Sequence, residues 1–204
     1  MIVLIAVPFT LLILILTTTS WIEPIILLIS IGIAIAINSG TNLIFGEISF
    51  VTNAAGNILQ LAVSLDYSVF LLHRYKEMRK EGLESEEAMV QALCKSTSSI
   101  LSSGVTTVIG FLALAVMKFK IGPDLGLALA KGIALSLVTV FVFAPGVILY
   151  CNNLINKTEH KSFMPSFDGV GKLVEKLIIP SVVIFTIMII PSYLASINSE
   201  YYYG

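Results

Sequence analysis

The 204-residue chain is 56% hydrophobic and only 12% charged, about half the charged share of an ordinary soluble domain, and its mean hydropathy is +0.94. Apolar runs long enough to cross a bilayer recur along its whole length, so the composition is that of an integral membrane protein. A net charge of −1 supplies no footprint for nucleic acid, and no CxxC, HExxH, phosphate-binding glycine loop or nucleophile elbow supports an enzyme, metal or cofactor reading.

Six spans are predicted, at roughly 2–19, 25–45, 55–75, 97–117, 124–150 and 177–197. The opening MIVLIAVPFTLLILIL has no basic lead-in and no small-residue cleavage site, so it reads as a spanning helix and not as a signal peptide. Met1 already lies inside the hydrophobic run, which suggests a piece cut from something longer.

The third span, with LAVSLDYSVFLLHRYKE (Leu61–Glu77) at its centre and exit, carries an acid where ionisation is costly. Asp66 sits about eleven residues into the span, near mid-bilayer at 1.5 Å per residue. A charged aspartate there costs roughly 2.5–3.5 kcal/mol on insertion scales. Burial favours the neutral acid while a nearby cation favours the ionised one, so a group balanced between them can take up and release protons. The plainer reading is an acid held neutral or paired merely to lock two helices. Asn53, Asn57, Gln60, Ser64 and Tyr67 follow at spacings of 4, 3, 4 and 3 on another face, centred about 140° from Asp66 at 100° per residue. A helix polar on two faces is expected at the centre of a bundle, with the amides and hydroxyls joining helices.

Beyond this span, EGLESEEAMVQALCK is predicted to hold a separate amphipathic helix on the membrane surface. Gly82 would end the preceding helix, Ser85 would be the N-cap, Glu86 and Glu87 would occupy the first turn, and Met89, Ala92 and Leu93 would form the apolar stripe. In the fourth span Ser96, Ser99, Ser103, Thr106 and Gly110 share one face, expected to pack closely against the centre. Thr106 or Thr107 is a weaker candidate for passing protons to Asp66. The fifth span holds Lys131 at what counts as nearly the depth of Asp66. An ion pair between them would lower the cost of both; the competing reading is a lysine facing a partner outside this chain. Pro145 is expected to kink the same span. Residues 151–176 read as a linker.

Sidedness follows from charge. His73–Lys95 carries five basic residues and Tyr150–Lys176 four, against only Lys118 and Lys120 on the opposite side. The positive-inside rule puts the nine in the cytoplasm. Cys94 and Cys151 fall on that side and are expected to be free thiols. The closing NSEYYYG would then lie outside, as an interfacial aromatic belt or the start of an external domain.

The succession LDYSVFLLHRYKEMRKEGLESEEAMVQAL, SSGVTTVIGFLAL and GLALAKGIALSLVTVFVFAPGVIL resembles the MMPL family of the RND transporter superfamily, nearly continuously from about Asn57 to Leu149. Over the first two spans the likeness is one of hydropathy and position. The resemblance implies an all-α membrane protein, a six-helix transmembrane bundle forming an RND-permease-like half. It also implies a proton-driven exporter of hydrophobic or lipid-like molecules, multi-pass in a cell membrane, as in a bacterial cytoplasmic membrane. Residues 1–150 would be helices two to six of the first half, and 177–197 the opening helix of the second. Asp66 and Tyr67 match the acid–tyrosine pair of the family's proton relay. Partners implied are the rest of the transporter (external domains and second half), the bilayer, the substrate and, in an oligomer, further copies. Lys131 has no counterpart in the pattern. The alternative within the superfamily is a sterol-sensing-type domain that binds lipid and regulates partners without transport; a protein-translocation auxiliary fits the residues around the acid less well.

Overall fold

The computed structural model describes residues 2–46, 48–118, 121–160 and 168–197, and all its regular structure there is helical. By contacts the chain forms two units, Met1–Phe163 and Met164–Gly204. The first contains α1 (Ile2–Thr17), α2 (Glu23–Thr41), α3 (Phe50–Lys80), α4 (Ser85–Leu114), α5 (Ile121–Val138), α6 (Ala144–Tyr150) and α7 (Asn152–Lys157). The second contains α8 (Asp168–Ile197).

Among the described residues, five segments are long and apolar enough to cross a membrane, against six expected: Glu23–Ile44, Phe50–Lys80, Ser85–Leu114, Ile121–Tyr150 and Leu173–Ile197. The difference lies in α1. Its described part is 16 residues long, a rise of about 24 Å. The chain leaves the helix at Thr17 and Thr18, whose hydroxyls donate back to the Leu14 carbonyl at 3.3 and 2.8 Å.

Two helices extend well past a bilayer's width. Ser49 opens α3, its Oγ accepting from the Val51 N–H at 3.3 Å. The helix then runs 31 residues, because nothing in HRYKEMRK breaks it before Gly82, which takes φ +92°. The predicted separate surface helix does not exist. Residues 85–94 are the first turns of α4, which continues unbroken for 30 residues to Leu114. No proline or glycine interrupts VQALCKSTSSI, and Ala88, Met89 and Ala92 pack into the core. The N-cap is Glu84, without a side-chain cap bond. Ser85 instead accepts from Asn152 Nδ2 at 2.9 Å.

The expected hydroxyl packing face of α4 is also corrected. Ser96 is buried, but Ser99, Ser103, Thr106 and Gly110 are exposed. The buried line is Ala92, Ser96, Ile100 and Gly104, at a spacing of four. Against α5 the approach is closest at Gly126, where a Cβ would lie 2.6 Å from the Phe111 carbonyl oxygen. Any side chain there would push the two helices apart.

The expected kink at Pro145 falls beside a specific backbone feature. Residues Thr139–Phe143 form a π turn between α5 and α6. The wider turn accommodates the carbonyls that a proline cannot bond, within the single span Ile121–Tyr150.

Residues 152–160 are not part of a linker. Within them α7 buries Ile155, and His160 N–H donates to the Thr19 carbonyl at 2.8 Å. Residues 161–167, 119–120 and 198–204, the last including NSEYYYG, lie outside the described residues. Cys94 and Cys151 are free thiols. In the second unit, α8 carries Pro180 and Pro191 within its 30 residues. Its apolar side chains from Leu177 to Ile190 are exposed.

Candidate functional site

α3 contacts α1, α2, α4 and α5 and is the central helix of the first unit. Its two ends are distinguished below as the far end (Phe50) and the basic end (Arg79, Lys80). Between them Asp66 lies sixteen residues from Phe50 and fourteen from Lys80, at the helix midpoint.

The far half of α3 is tied to its neighbours by polar groups. At the rim, Asp124 Oδ2 accepts from Thr52 Oγ1 at 2.7 Å and from the Ser49 N–H at 3.1 Å. Deeper, Asn38 Nδ2 donates to Gln60 Oε1 at 2.8 Å, and Gln60 Nε2 donates to Ser136 Oγ at 3.2 Å. Ser136 Oγ in turn donates to the Gly132 carbonyl at 2.9 Å and accepts from Ser64 Oγ at 2.5 Å. Asn38, Gln60, Ser64 and Ser136 are each at most 3% exposed. A Cβ on Gly132 would stand 2.8 Å from Asn38 Nδ2 and 3.2 Å from Gln60 Oε1, so only glycine leaves room for the amide pair. Sequence reasoning found Gln60 and Ser64 by their spacing. It missed Asn38 and Ser136, which are lone polar residues at the end of IGIAIAIN and inside GIALSL.

Lys131 belongs to this far half. Its Nζ donates to the Asn38 carbonyl at 3.0 Å, to Thr41 Oγ1 at 3.0 Å and to Asn42 Oδ1 at 2.6 Å. These acceptors close the C-terminus of α2, where free carbonyls and the helix dipole favour a cation. Two observations correct the expected Lys131–Asp66 pair. No salt bridge joins them among the described residues, and they lie at different depths. The parallel contacts Gln60 to Gly132 and Ser64 to Ser136 set Lys131 level with Leu59. That is seven residues, about 10 Å, nearer the far end than Asp66. The lysine reaches outward and the acid stays in the middle.

Asp66 and Tyr67 point in different directions. Tyr67 is 7% exposed and part of the core. Asp66 is exposed, on an open face with Leu59, Ala62, His73 and Glu77, and no hydrogen bond or salt bridge reaches it within the described residues. The expected enclosure of α3 is therefore only partial. Asn57 is half-buried, accepting from Ser39 Oγ at 3.3 Å. Thr106 and Thr107 spend their hydroxyls on the carbonyls of Ser102 and Ser103, at 2.7 and 2.8 Å, and neither bonds Asp66.

The basic end holds a charge pair that sequence reasoning missed. Lys76 Nζ donates to Glu23 Oε2 at 2.5 Å and to Thr19 Oγ1 at 2.6 Å. Glu23 also accepts from the Thr19 N–H at 3.2 Å and is 1% exposed. Nearby, Tyr75 Oη donates to Asn152 Oδ1 at 2.9 Å. Glu23 was hidden because an acid beside Pro24 reads as an ordinary exposed first turn. Its burial depends on residues 155–160 folding over Thr19–Trp21, where Ser20 Oγ donates to the Ile155 carbonyl at 3.1 Å and Trp21 lies against the His160 ring, centroids 4.9 Å apart.

The sequence profile of the MMPL family matches residues 1–166. A membrane protein of Methanocaldococcus jannaschii is 32% identical over 98 residues, covering 48% of this chain and 25% of that protein. MmpL12 of Mycobacterium tuberculosis, named for transport, is 28% identical over 142 residues, covering 68% of this chain and 12% of its own length. The siderophore exporter MmpL5 of the same species is 28% identical over 109 residues, 53% of this chain and 11% of that one. The chain thus spans a quarter or less of the length of these relatives. No solved structure gives a significant match.

Proposed function

The chain belongs to the MMPL family, and we propose that it forms the transmembrane part of an exporter of hydrophobic or lipid-like molecules driven by the proton-motive force, with Asp66 and Tyr67 as its proton relay. Relatives named for transport and for export support the transporter class. The observation that carries the relay is the contrast within α3: the buried amide and hydroxyls of its far half are bonded across helices, while the acid at its midpoint is exposed and has no hydrogen-bond or ion-pair partner among the described residues.

An ionised carboxylate facing lipid at that depth costs roughly 2.5–3.5 kcal/mol. The carboxylate is therefore ionised only when a polar or cationic surface outside this unit covers the open face, and it is protonated when that surface withdraws. A proton shifts an equilibrium between two packings only by its differential affinity for them, and this arrangement gives the two protonation states different partners. Each proton entering down a potential of 100 mV releases roughly 2.3 kcal/mol for such a cycle. Tyr67, buried beside the acid, links its state to the core. In the orientation given by the basic residues, the proton leaves towards the Lys80 end, into the cytoplasm.

The test is Asp66→Asn in the intact transporter, following substrate export. Export is expected to fall by about 100-fold or more, with the protein still present in the membrane. Export at the wild-type rate would sink the relay. Substrate accumulation insensitive to an uncoupler would favour a lipid-binding regulatory domain instead.

A further inference from the structure

The segment IILLISIGIAIAI of α2 is close to a repeat of aliphatic and small side chains. Its buried residues Ile26, Leu27, Ser30, Ile31 and Ala34 are aliphatic or small, and contacts among such side chains specify the axial register of α3 less sharply than polar pairs do. Polar pairs at defined positions are what select a register in such interfaces.

Two such pairs join α2 to α3. Lys76 meets Glu23 at the basic end and Gln60 meets Asn38 in the far half. Both belong to one antiparallel register, since fifteen residues along α2 correspond to sixteen back along α3. The chain also carries substitutes for both, one turn further on. A slide of α3 by four residues toward its far end would set Lys80 against Glu23 and Ser64 against Asn38.

Glu23 is an odd group to keep for stability alone. Its Oε1 is buried with no hydrogen-bond partner among the described residues, and the carboxylate lines an apolar pocket with Ile26, Leu27, Leu72, Ile148 and Ile155. Buried ion pairs contribute little net stability, whereas a single misplaced partner is costly. That asymmetry suits a register device.

We propose that Glu23 and Lys76 are positioning residues for Asp66: by choosing Lys76 over Lys80, the pair fixes α3 against α2 and so sets the depth of the acid. A slip to Lys80 would carry Asp66 about 6 Å toward the far end. The consequence for transport rests on the relay proposed above, but the register itself does not.

The register is read by disulfide cross-linking in the 204-residue chain, with Cys94→Ser and Cys151→Ser. Ser39→Cys with Asn57→Cys reports the observed register, where the two side chains are 3.3 Å apart. Ser39→Cys with Leu61→Cys reports the slipped one. In Lys76→Met the ratio of the two yields is expected to shift toward the slipped pair by at least about threefold, because Lys80 is then the nearest lysine along α3 that could replace the lost partner of Glu23. Lys76→Arg is expected to keep the parent ratio. The swap Glu23→Lys with Lys76→Glu retains both charges and is expected to keep it too, which decides the matter if Lys76→Met fails to fold. A parent ratio in folded Lys76→Met, or a shifted ratio in the swap, overturns the proposal. Neither result depends on whether Asp66→Asn exports.

Discussion

The two faces of α3 solve the same physical problem in opposite ways. Both carry polar groups into an apolar solvent. On the inner face Gln60 and Ser64 are buried and bonded to α2 and α5, with Ser136 as the shared centre. On the outer face Asp66 is left to whatever covers the unit. Neutral groups can be satisfied within one small bundle because each needs only a partner or two at hydrogen-bond distance. A carboxylate needs a counter-charge or a proton, and this unit places its one mid-span cation, Lys131, elsewhere. The comparison separates groups that hold the bundle from a group free to change state.

The largest blow to the inner face should come from Gly132→Val. The added carbons would stand where Asn38 Nδ2 and Gln60 Oε1 now meet, so the variant combines overpacking with two stranded amides. About 3 kcal/mol or more is expected, read as loss of cooperative unfolding in detergent by the fluorescence of Trp21, the sole tryptophan. An unchanged midpoint would mean that the amide pair is not held as described.

A gentler change tests whether the network acts as a unit. Gln60→Leu leaves Asn38 Nδ2 without its acceptor and removes a donor to Ser136, at an expected cost of roughly 1–2 kcal/mol. Adding Asn38→Leu removes the stranded amide, so the double variant should lose less than the two single losses combined. Simple additivity would show two independent side chains and not a network.

Much of this arrangement was legible in the sequence, and the misses share a cause. Spacing alone found the inner face of α3, since period and polarity depend only on local chain geometry. The break at Gly82 followed from backbone chemistry in the same way. Glu23 and Asn38 were not legible, because each becomes important only through a partner about 53 or 22 residues away. The hydroxyl stripe of α4 misled for a related reason. Small residues permit close packing without choosing which face takes it, and here the buried line through Ala92, Ser96, Ile100 and Gly104 won. The depth of Lys131 relative to Asp66 was misjudged because α3 begins at Phe50, ahead of the predicted span edge at 55, so counting from that edge placed Asp66 too near the far end.

The smallest expected effect belongs to the outer face and is the most direct test of the contrast. Asp66→Asn keeps the size of the side chain and removes its charge. Since no described residue bonds Asp66 within the unit, no internal partner is stranded, and stability in detergent should stay within about 0.5 kcal/mol of the parent. The same substitution is expected to abolish export in the intact transporter, so the measurement pairs a silent effect on folding with a severe one on activity. A loss of stability of about 1 kcal/mol or more, comparable to that of Gln60→Leu, would instead place Asp66 among the groups that hold the bundle, and the two faces of α3 would no longer differ in kind.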